Sequence, residues 1–581
     1  MRYLFAILDP RLPFQFMPMG PPYVAGALRQ TGRYVSGFRL PAHENPTEAL
    51  LQRVQTEHID VLCIGELSAN YPILRDTIAA VRKNCPHVKI IVGGGIITAE
   101  PEFIAQHLDM DFACVGYGEE MICEFAECLE NGGDFSTIKG LIYRDKTDKV
   151  VINPRRPEPE NLEDLPFPAL ELFGFNGGLV PIVGSRSCTH NCTFCFHPSG
   201  YKYKQRSLDS IFTEIDYWRE KFEISGVVFM EENFGSNKER VFELCRRFQK
   251  LNMELVLSFR VDVVTEEMIK TLIDSGCKVI GFGVESVCQT VLDSMRKHIT
   301  VEQIKNALKI AYKYKDKLRF NASIIFGDPV ETYEMAMDTL SWWLRNLHYG
   351  IALDLIHAYP GTALYNYGVK TGRIKDRLKF LEARCPVTNL SSMNDEVFAK
   401  LQRQIVHVRE LLFNPAINLR IESEKEKEAI FYADCPSCGA TVSMNFGEVI
   451  RSEYYFFCEI CTLCGDRLAI GWYKLLHENR YFEEFDYDGK KIAIWGMSLN
   501  AKFRLVANKR MRESVVAIVD RNYQNFESGF LGFDIRSPET LSGIDFDVLY
   551  IGSRIWRNEI LEMAKGVIGY AFDKKEVMFL D

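Results

Sequence analysis

The chain has 581 residues, a net charge of -9, 47% hydrophobic residues and 25% charged residues. This is ordinary globular composition, which excludes a wholly disordered, collagenous or coiled-coil protein, and the length predicts about three to five domains. The acidic balance gives no support to general nucleic-acid binding, and the absence of a long apolar run argues against a transmembrane helix.

Residues 1–150 alternate β-rich runs with amphipathic stretches. The runs are YLFAILD, DVLCIG, KIIVGGG and FACVGYG. This alternation predicts a Rossmann-like α/β domain with a parallel sheet. The first run is followed at once by Asp9 and Arg11, so it predicts a strand rather than a signal peptide. We therefore expect a cytoplasmic protein, whose 17 cysteines stay reduced and act as metal ligands where they cluster.

Five further segments follow in chain order. Residues 151–179 are rich in proline and acidic residues and predict a linker. Residues 180–375 contain six strand-like runs separated by helical stretches, which predicts a partial (β/α) barrel. Residues 376–430 are predicted to be helical and residues 431–470 to be a cysteine-rich module. Residues 488–581 predict a small Rossmann-like unit.

A first cysteine cluster begins the barrel-like region. Cys188, Cys192 and Cys195 form the pattern C-x3-C-x-aromatic-C directly after a predicted strand. Three thiolates on one tight loop can bind three irons of a cubane cluster and leave the fourth iron open for a ligand. A closed zinc site takes four ligands, and His190 or His197 could supply the fourth, so zinc is the alternative.

This cluster and the motifs after it resemble the radical S-adenosylmethionine (SAM) superfamily. The resemblance continues through Glu231-Glu232 at the second strand and Glu285-Ser286 at a later strand end. It extends through the turn at 326–332 and through Y-P-G-T-x-L-Y at 359–365. Five motifs in the family's order support the resemblance more strongly than the cysteines alone.

The resemblance implies a cofactor set and a set of binding residues. Cys188, Cys192 and Cys195 would bind a [4Fe-4S] cluster, SAM would occupy the open iron, and an external one-electron reductant would trigger formation of a 5′-deoxyadenosyl radical. The predicted strand ends that would contact SAM carry Glu231, Glu232, Arg260, Glu285 and Ser286. For Arg260 and Glu231, a salt bridge at the barrel rim is the alternative. No further catalytic residue is assigned.

The loops of the N-terminal domain resemble those of the cobalamin-binding domain that precedes many radical SAM barrels. The residues expected near cobalamin are Gly65, Ser68, Gly93, Gly94, Gly95, Gly116, Gly118 and Glu119. Glycines at strand ends let a bulky ligand approach the backbone. The D-x-H-x-x-G motif is missing, so cobalt would have no lower histidine ligand. The alternative is a degenerate domain that binds nothing and only packs against the barrel.

A second cysteine cluster predicts a zinc-ribbon-like module. Cys435 and Cys438 form one C-x2-C-G knuckle, and Cys461 and Cys464 form another. Four thiolates would close a structural zinc site. Cys458 adds a fifth thiol, which leaves an auxiliary Fe–S cluster as the alternative.

The C-terminal unit carries one glycine, Gly496, of a G-x-G-x-x-G motif. Asp520 ends its second predicted strand, where an acid that binds ribose would lie. With so little of the motif present, a docking role is favoured over dinucleotide binding.

Together these features predict a cobalamin-dependent radical SAM enzyme that methylates an unactivated carbon of a small molecule. The same cofactors serve cyclisation, oxidation or rearrangement, which is the first alternative. A non-catalytic zinc-binding protein is the second. Neither nucleic acid nor a membrane is expected as a partner, and the sequence does not define the oligomeric state.

Overall fold

The structure of the protein is a computed structural model in which two compact units are distinguished. The first unit comprises residues 1–331 and 355–392, and the second comprises residues 332–354 and 393–581. The structure describes residues 1–8, 18–39, 46–197, 200, 202–408, 413–425, 428–446, 456–461, 463, 467–471, 489–498, 501–502, 504–505, 508–526, 529–552 and 557–579.

The N-terminal part of the first unit is a seven-stranded sheet with the order β2-β1-β3-β4-β5-β6-β7. Its strands are β1 Arg2–Ile7, β2 Tyr34–Arg39, β3 Val61–Gly65, β4 Lys89–Gly93, β5 Phe112–Cys114, β6 Leu141–Arg144 and β7 Val150–Ile152. Its helices are α1 Gly20–Gln30, α2 Pro46–Thr56, α3 Tyr71–Asn84, α4 Gly95–Ala99, α5 Pro101–His107 and α6 Glu119–Asn131. The first five strands pair in parallel, which confirms the Rossmann-like prediction, and β6 and β7 add an antiparallel edge.

The second sheet is the partial barrel. Its strands follow the order β8-β11-β12-β13-β14-β15, and its paired neighbours from β8 to β14 run parallel. They are β8 Gly178–Ile182, β11 Ile224–Phe229, β12 Glu254–Arg260, β13 Cys277–Glu285, β14 Arg319–Phe326 and β15 Ala352–Leu355, with a small hairpin of β9 Ser185–Arg186 and β10 Lys204–Gln205. The helices of this region are α7 Leu208–Lys221, α8 Lys238–Phe248, α9 Glu266–Asp274, α10 Gln289–Ser294, α11 Val301–Tyr312, α12 Tyr333–Leu344, α13 Ala363–Lys370 and α14 Arg377–Glu382.

Local sequence explains why these helices begin where they do. Ser207, Thr265 and Thr332 each accept a hydrogen bond from a backbone N–H of the first turn of α7, α9 and α12. Thr300 and Gln303 form a reciprocal capping box at the start of α11. Because the strands from β8 to β14 pair in parallel, their carboxyl ends lie at one edge of the sheet. This is the edge where (β/α) barrels have their active sites.

The second unit contains the remaining strands and a C-terminal sheet. The strands before that sheet are β16 Asn414–Pro415, β17 Ile417–Lys425, β18 Glu428–Asp434, β19 Thr441–Phe446, β20 Phe456–Ile460 and β21 Arg467–Gly471. The C-terminal sheet is parallel, in the order β24-β23-β22-β25-β26, and comprises β22 Ile492–Trp495, β23 Val515–Val519, β24 Ile535–Arg536, β25 Val548–Ile551 and β26 Glu576–Phe579. The helices of this unit are α15 Asp395–Val408, α16 Lys509–Ser514 and α17 Arg557–Ile568, together with α12, whose bounds are given above.

Two predicted segments differ from the structure. The predicted linker, 151–179, overlaps β7 at its start and β8 at its end, because the β-branched residues 150–152 pair with β6. The predicted helical segment, 376–430, is helical only in α14 and α15, and from Asn414 onwards the described residues form strands. Residues 417–422 alternate apolar and polar side chains, and this period of two is typical of a strand.

Among the described helices, none combines the length with the apolar content that crossing a membrane requires.

Candidate active site

The first cysteine cluster lies on the loop that follows β9 in the barrel. Cys192 is buried, Cys188 is half-buried and Cys195 is exposed. The Thr193 backbone holds this loop in place: its N–H donates to the Met295 carbonyl at 3.0 Å, and its carbonyl accepts from the Leu364 N–H at 2.9 Å. Two segments that are distant in sequence therefore fix the loop that carries the three thiols.

The electrostatic surroundings of the loop favour a thiolate at Cys192. A hydrogen bond from Cys195, together with the positive charges of Lys297 and Arg260, lowers the pKa of Cys192 to about 6 despite its burial. Burial raises the pKa of Cys188. The thiolate is the form of cysteine that binds metal, so at least one ligand is already poised for an iron.

The arrangement of the three thiols fits a cluster better than a single zinc ion. Within the described part of the chain, the one set of three ligand atoms lying within 4.8 Å of one another belongs to a different group of cysteines. Thiolates that bind different irons need not converge on a point, whereas zinc ligands must. His190 Nδ1 lies 2.9 Å from the Thr189 hydroxyl and His197 Nδ1 lies 2.8 Å from Glu232, and among the described residues neither ring belongs to a set of three ligand atoms within 4.8 Å of one another.

Two buried acceptors lie after β11, close to the cluster loop. Glu231 accepts a hydrogen bond from Ser185 at 2.6 Å, and its burial raises the pKa of its carboxyl to about 7. Its second oxygen, Oε1, is buried without a hydrogen-bond partner among the described residues, as is Oδ1 of Asn233. Buried polar atoms without partners are rare and indicate a missing ligand or water. These two atoms can receive the N–H or O–H donors of a bound molecule.

The predicted SAM residues on β12 and β13 have protein partners in the structure. Arg260 donates to the Lys297 carbonyl at 2.7 Å and contacts Asp262 at 3.1 Å. Glu285 forms a buried ion pair with Lys297 at 2.8 Å, and the Ser286 hydroxyl accepts from the Cys288 N–H at 3.1 Å. These contacts join β12 and β13 to residues 295–298, which pack on the cluster loop through the Met295 carbonyl. Direct contact of the predicted residues with SAM stays a prediction.

The backbone of this region is strained. Ser187, Glu285, Arg296 and His298 have positive φ values of 66°, 63°, 53° and 52°. Each such residue costs on the order of 1–3 kcal/mol and persists only where its surroundings fix it, which happens most often at functional sites. Ser187 adjoins the cluster loop, and the other three belong to residues 285–298, which pack on it. The strained backbone and the three thiols therefore lie in the same region.

The predicted cobalamin loops lie at the carboxyl edge of the N-terminal sheet. Gly65 and Gly93 are register partners at the ends of β3 and β4. Gly94 has a φ of +85°, and a Cβ built on it would lie 2.7 Å from the Glu66 carbonyl oxygen, so only glycine fits this turn. Ser68 is buried in the short helical turn after β3. The structure thus gathers these residues at one edge, as the parallel topology requires.

A single aromatic ring joins this edge to the cluster loop. Phe196 directly follows the last cluster cysteine, and its Cε1 would lie 3.0 Å from a Cβ built on Gly95. A Cβ on Gly361, in the Y-P-G-T motif, would overlap the same ring. The two glycines therefore leave room for Phe196 between the N-terminal domain and the barrel.

The remaining cobalamin candidates, Gly116, Gly118 and Glu119, have contacts inside the protein. A Cβ on Gly116 would lie 3.2 Å from Arg155, and a Cβ on Gly118 would lie 3.0 Å from Val24. Glu119 forms a buried ion pair with Arg186 at 2.5 Å, next to the cluster. These residues serve contacts inside the protein, and a cobalamin role for them stays a prediction.

The sequence did not identify four residues that the structure places around the site: Arg186, Phe196, Asn233 and Lys297. The guanidinium of Arg186 lies 5.2 Å from the ring centroids of both Tyr23 and Tyr117. Phe196 and Asn233 directly follow Cys195 and Glu232, and Arg186 lies two residues before Cys188, so adjacency was an available signal for these three. Their partners are distant along the chain, however, and sequence spacing does not reveal such pairs.

The second cysteine cluster has the geometry of a single-ion site. The Sγ atoms of Cys435, Cys438 and Cys461 all lie within 4.8 Å of one another, with 3.6 Å between the last two. Tetrahedral thiolates at zinc bond lengths are about 3.8 Å apart. Cys464 lies outside the described residues, as does the side chain of Cys458. The three thiols support the zinc prediction, which stays a proposal.

Replacing Cys438 with serine should lower the melting temperature and the zinc content much more than the rate of SAM cleavage, because a structural ion stabilises its module rather than the reaction. Differential scanning calorimetry and elemental analysis measure this. Ser437→Ala, on the same loop, is the matched control. Unchanged melting together with lost turnover would instead indicate an auxiliary Fe–S cluster.

Comparison with known families gives three matches. The B12 binding domain matches residues 11–126, the radical SAM superfamily matches residues 182–342, and the C2185-like N-terminal family matches residues 488–577. The first two matches coincide with the N-terminal sheet and the partial barrel.

Three similar proteins illustrate the range of relatives. The uncharacterized methyltransferase PH0819 of Pyrococcus horikoshii is 28% identical, and the match covers 56% of this chain and 74% of that protein. The anaerobic magnesium-protoporphyrin IX monomethyl ester cyclase of Rubrivivax gelatinosus is 23% identical over 55% of this chain and 60% of its own length. The solved structure of the radical SAM methyltransferase TsrM from Kitasatospora setae has a TM-score of 0.53 at 16% identity, covering 64% of this chain and 77% of that one. The structural match supports the fold alone.

Proposed function

The chain belongs to the radical SAM enzymes that carry a B12 binding domain, and from that premise we propose that it methylates an unactivated carbon of a small molecule. The observation that carries the proposal is the contact of Phe196 with Gly95, which brings the cluster loop against the carboxyl edge of the N-terminal sheet. A methyl transfer that uses both cofactors needs their two sites side by side.

The cofactors of this architecture divide the chemistry between them. A [4Fe-4S] cluster with SAM supplies a 5′-deoxyadenosyl radical for hydrogen abstraction, and cobalamin supplies a carrier for the methyl group. Cys188, Cys192 and Cys195 would hold the cluster. The unpartnered oxygens of Glu231 and Asn233 would accept hydrogen bonds from SAM, which orients it without a change in the protein.

The protein's own contacts support a pre-formed site. Lys297 pairs with Glu285 and presents its carbonyl to Arg260, so the segment over the cluster loop is fixed from both sides. In the N-terminal domain, Gly94 packs on the Glu66 backbone, and the side chains of Leu67 and Phe196 lie against Gly95, so the turn after β4 is fixed as well.

A second function is favoured by one observation. The similarity to a magnesium-protoporphyrin IX monomethyl ester cyclase covers a similar share of the chain to the methyltransferase match. Ring formation or oxidation would use the same cluster and the same domains without net methyl transfer. The two functions differ in how many SAM molecules each turnover consumes and in the products that result.

The ratio of SAM products tests the proposal. The reconstituted protein is incubated anaerobically with reductant, cobalamin, methyl-deuterated SAM and a pool of small-molecule metabolites. Methylation predicts S-adenosylhomocysteine and 5′-deoxyadenosine in equal amounts, because one SAM gives its methyl group and another gives the radical. It also predicts a deuterated product by mass spectrometry.

The same incubation without cobalamin is the control, and it should yield no labelled product. Substrate-dependent 5′-deoxyadenosine without S-adenosylhomocysteine or label would contradict methylation and support the cyclase or oxidase alternative.

A further inference from the structure

A cavity of about 370 Å³ lies within the second unit, at the C-terminal Rossmann-like sheet. Its walls include Trp495 at the end of β22 with residues 496–498 after it, and residues 520–522 after β23. Glu559, Ile560 and Met563 of α17 also line it. Residues 341–347, in and after α12, complete the lining with Val408. This size falls within the range of about 300–1,000 Å³ typical of small-molecule sites. None of the cluster or corrin motifs contributes to it.

The cavity coincides with the point where the strand order of the sheet reverses. The chain runs from β22 outwards to β23 and β24 on one side, then returns to β25 and β26 on the other. In open parallel sheets, ligands bind at this switch point, outside the carboxyl ends of the strands. Gly496 has a φ of +96°, and a Cβ on Gly552 would overlap the Gly496 carbonyl. The two loops that border the crevice can therefore approach closely only because both residues are glycine.

Asp520 is an acidic side chain of this crevice that can accept hydrogen bonds from a ligand. Its Oδ2 accepts the Met497 N–H and its Oδ1 accepts the Asn522 N–H, each at 2.8 Å. A carboxylate oxygen accepts two hydrogen bonds, so each oxygen has capacity for one further donor. Burial raises the pKa of Asp520, and hydrogen bonds from a bound ligand would favour its charged form.

The two adjacent hydroxyl groups of a ribose are donors that match the two oxygens of this carboxylate. Asp520 lies 24 residues after Gly496, close to the spacing of about 20 residues at which an acid binds ribose in dinucleotide-binding folds. The cavity also has an apolar wall that includes Leu344, Met497 and Phe526, which suits a planar base. The exposed side chains of Arg345 and Arg521 supply positive charge for phosphate.

We propose that this cavity binds a nucleoside diphosphate group through its ribose, either as a free nucleotide or as part of a larger molecule. The sequence alone favoured a docking role for this unit, because only one glycine of the dinucleotide motif is present. The cavity and the position of Asp520 favour a ligand site instead. The proposal is independent of the proposed methyl transfer, since it rests on residues of the second unit alone.

Calorimetric titration of the full-length protein tests the proposal. The probes are ADP, UDP, CDP, GDP and NAD⁺, each up to about 1 mM, with SAM present at saturation so that the radical SAM site is filled. We expect saturable binding of at least one probe. The 2′,3′-dideoxy form of that probe should bind about ten- to a hundredfold more weakly, because hydrogen bonds to the carboxylate are lost.

Variants assign the binding to this cavity. Arg521→Glu reverses an exposed charge and should weaken binding about tenfold or more without affecting folding. Arg510→Glu, at an exposed position on α16 outside the cavity, is the matched control and should bind normally. Asp520→Asn should abolish the preference for the ribose diol, with circular dichroism checking that the unit is folded.

Three results would overturn the proposal. The first is the absence of binding by every probe at the highest concentration. The second is equal affinity for the ribose and dideoxyribose forms. The third is binding that Arg521→Glu and Asp520→Asn leave unchanged, which would place the nucleotide elsewhere on the protein.

Discussion

Replacing Cys192 with alanine will reduce 5′-deoxyadenosine formation by at least about a hundredfold and lower the bound iron. Cys192 is the buried member of the three-cysteine loop, and its hydrogen bond with Cys195, with the nearby positive charges, lowers its pKa. Two thiolates hold a cubane cluster insecurely, and without the cluster no electron reaches SAM. Chromatography of the SAM products and iron analysis of the anaerobically reconstituted variant measure both effects.

Cys128→Ala is the matched control, because Cys128 is a half-buried thiol on α6 outside the site. It should keep the iron content and the SAM cleavage of the parent protein. Normal deoxyadenosine formation by Cys192→Ala would show that the cluster is not held by this loop.

Replacing Lys297 with methionine will lower the free energy of unfolding by about 3–5 kcal/mol, because it leaves the Glu285 carboxylate buried without its partner. The two side chains are only 8% and 10% exposed, and their charged atoms lie 2.8 Å apart. Denaturant unfolding followed by circular dichroism measures the loss. Lys305→Met, which removes one partner of the exposed pair with Glu302, should change stability by no more than about 1 kcal/mol.

A double variant separates the lost partner from other effects of the substitution. Glu285→Gln combined with Lys297→Met removes both charges, so it should be more stable than Lys297→Met alone. If the double variant loses the sum of the two single effects, the ion pair does not account for the cost.

The barrel and its cluster loop were predictable from the sequence because their signals are local. The strands β12 and β13 contain the largely apolar runs LVL and VIGFGV, and the three cysteines lie on one loop. By contrast, β2 was missed because YVSGFR carries a weak pattern, and it joins the sheet edge only through pairing with β1. The sequence predicts helix for the segment that contains β17, because the charged residues of β17 obscure its period of two.

The contacts that complete the site depend on topology and could not be read from spacing. Glu119 was assigned to cobalamin because it follows a glycine loop, yet its partner in the structure is Arg186, 67 residues later. Phe196 directly follows the cluster motif in the sequence, and only the fold shows that its ring lies between glycines from two different motifs. Long-range pairs of this kind need the three-dimensional fold.

The most direct test of the cofactor assignment is one anaerobic preparation in which iron, bound corrin and 5′-deoxyadenosine are quantified together. The protein is reconstituted with iron, sulfide and cobalamin, desalted, and then incubated with SAM and a reductant. If the cofactor assignment is correct, about four irons per chain are bound at the first cysteine cluster, corrin is retained and SAM is cleaved. Zinc as the only metal, with no corrin and no 5′-deoxyadenosine, would contradict it.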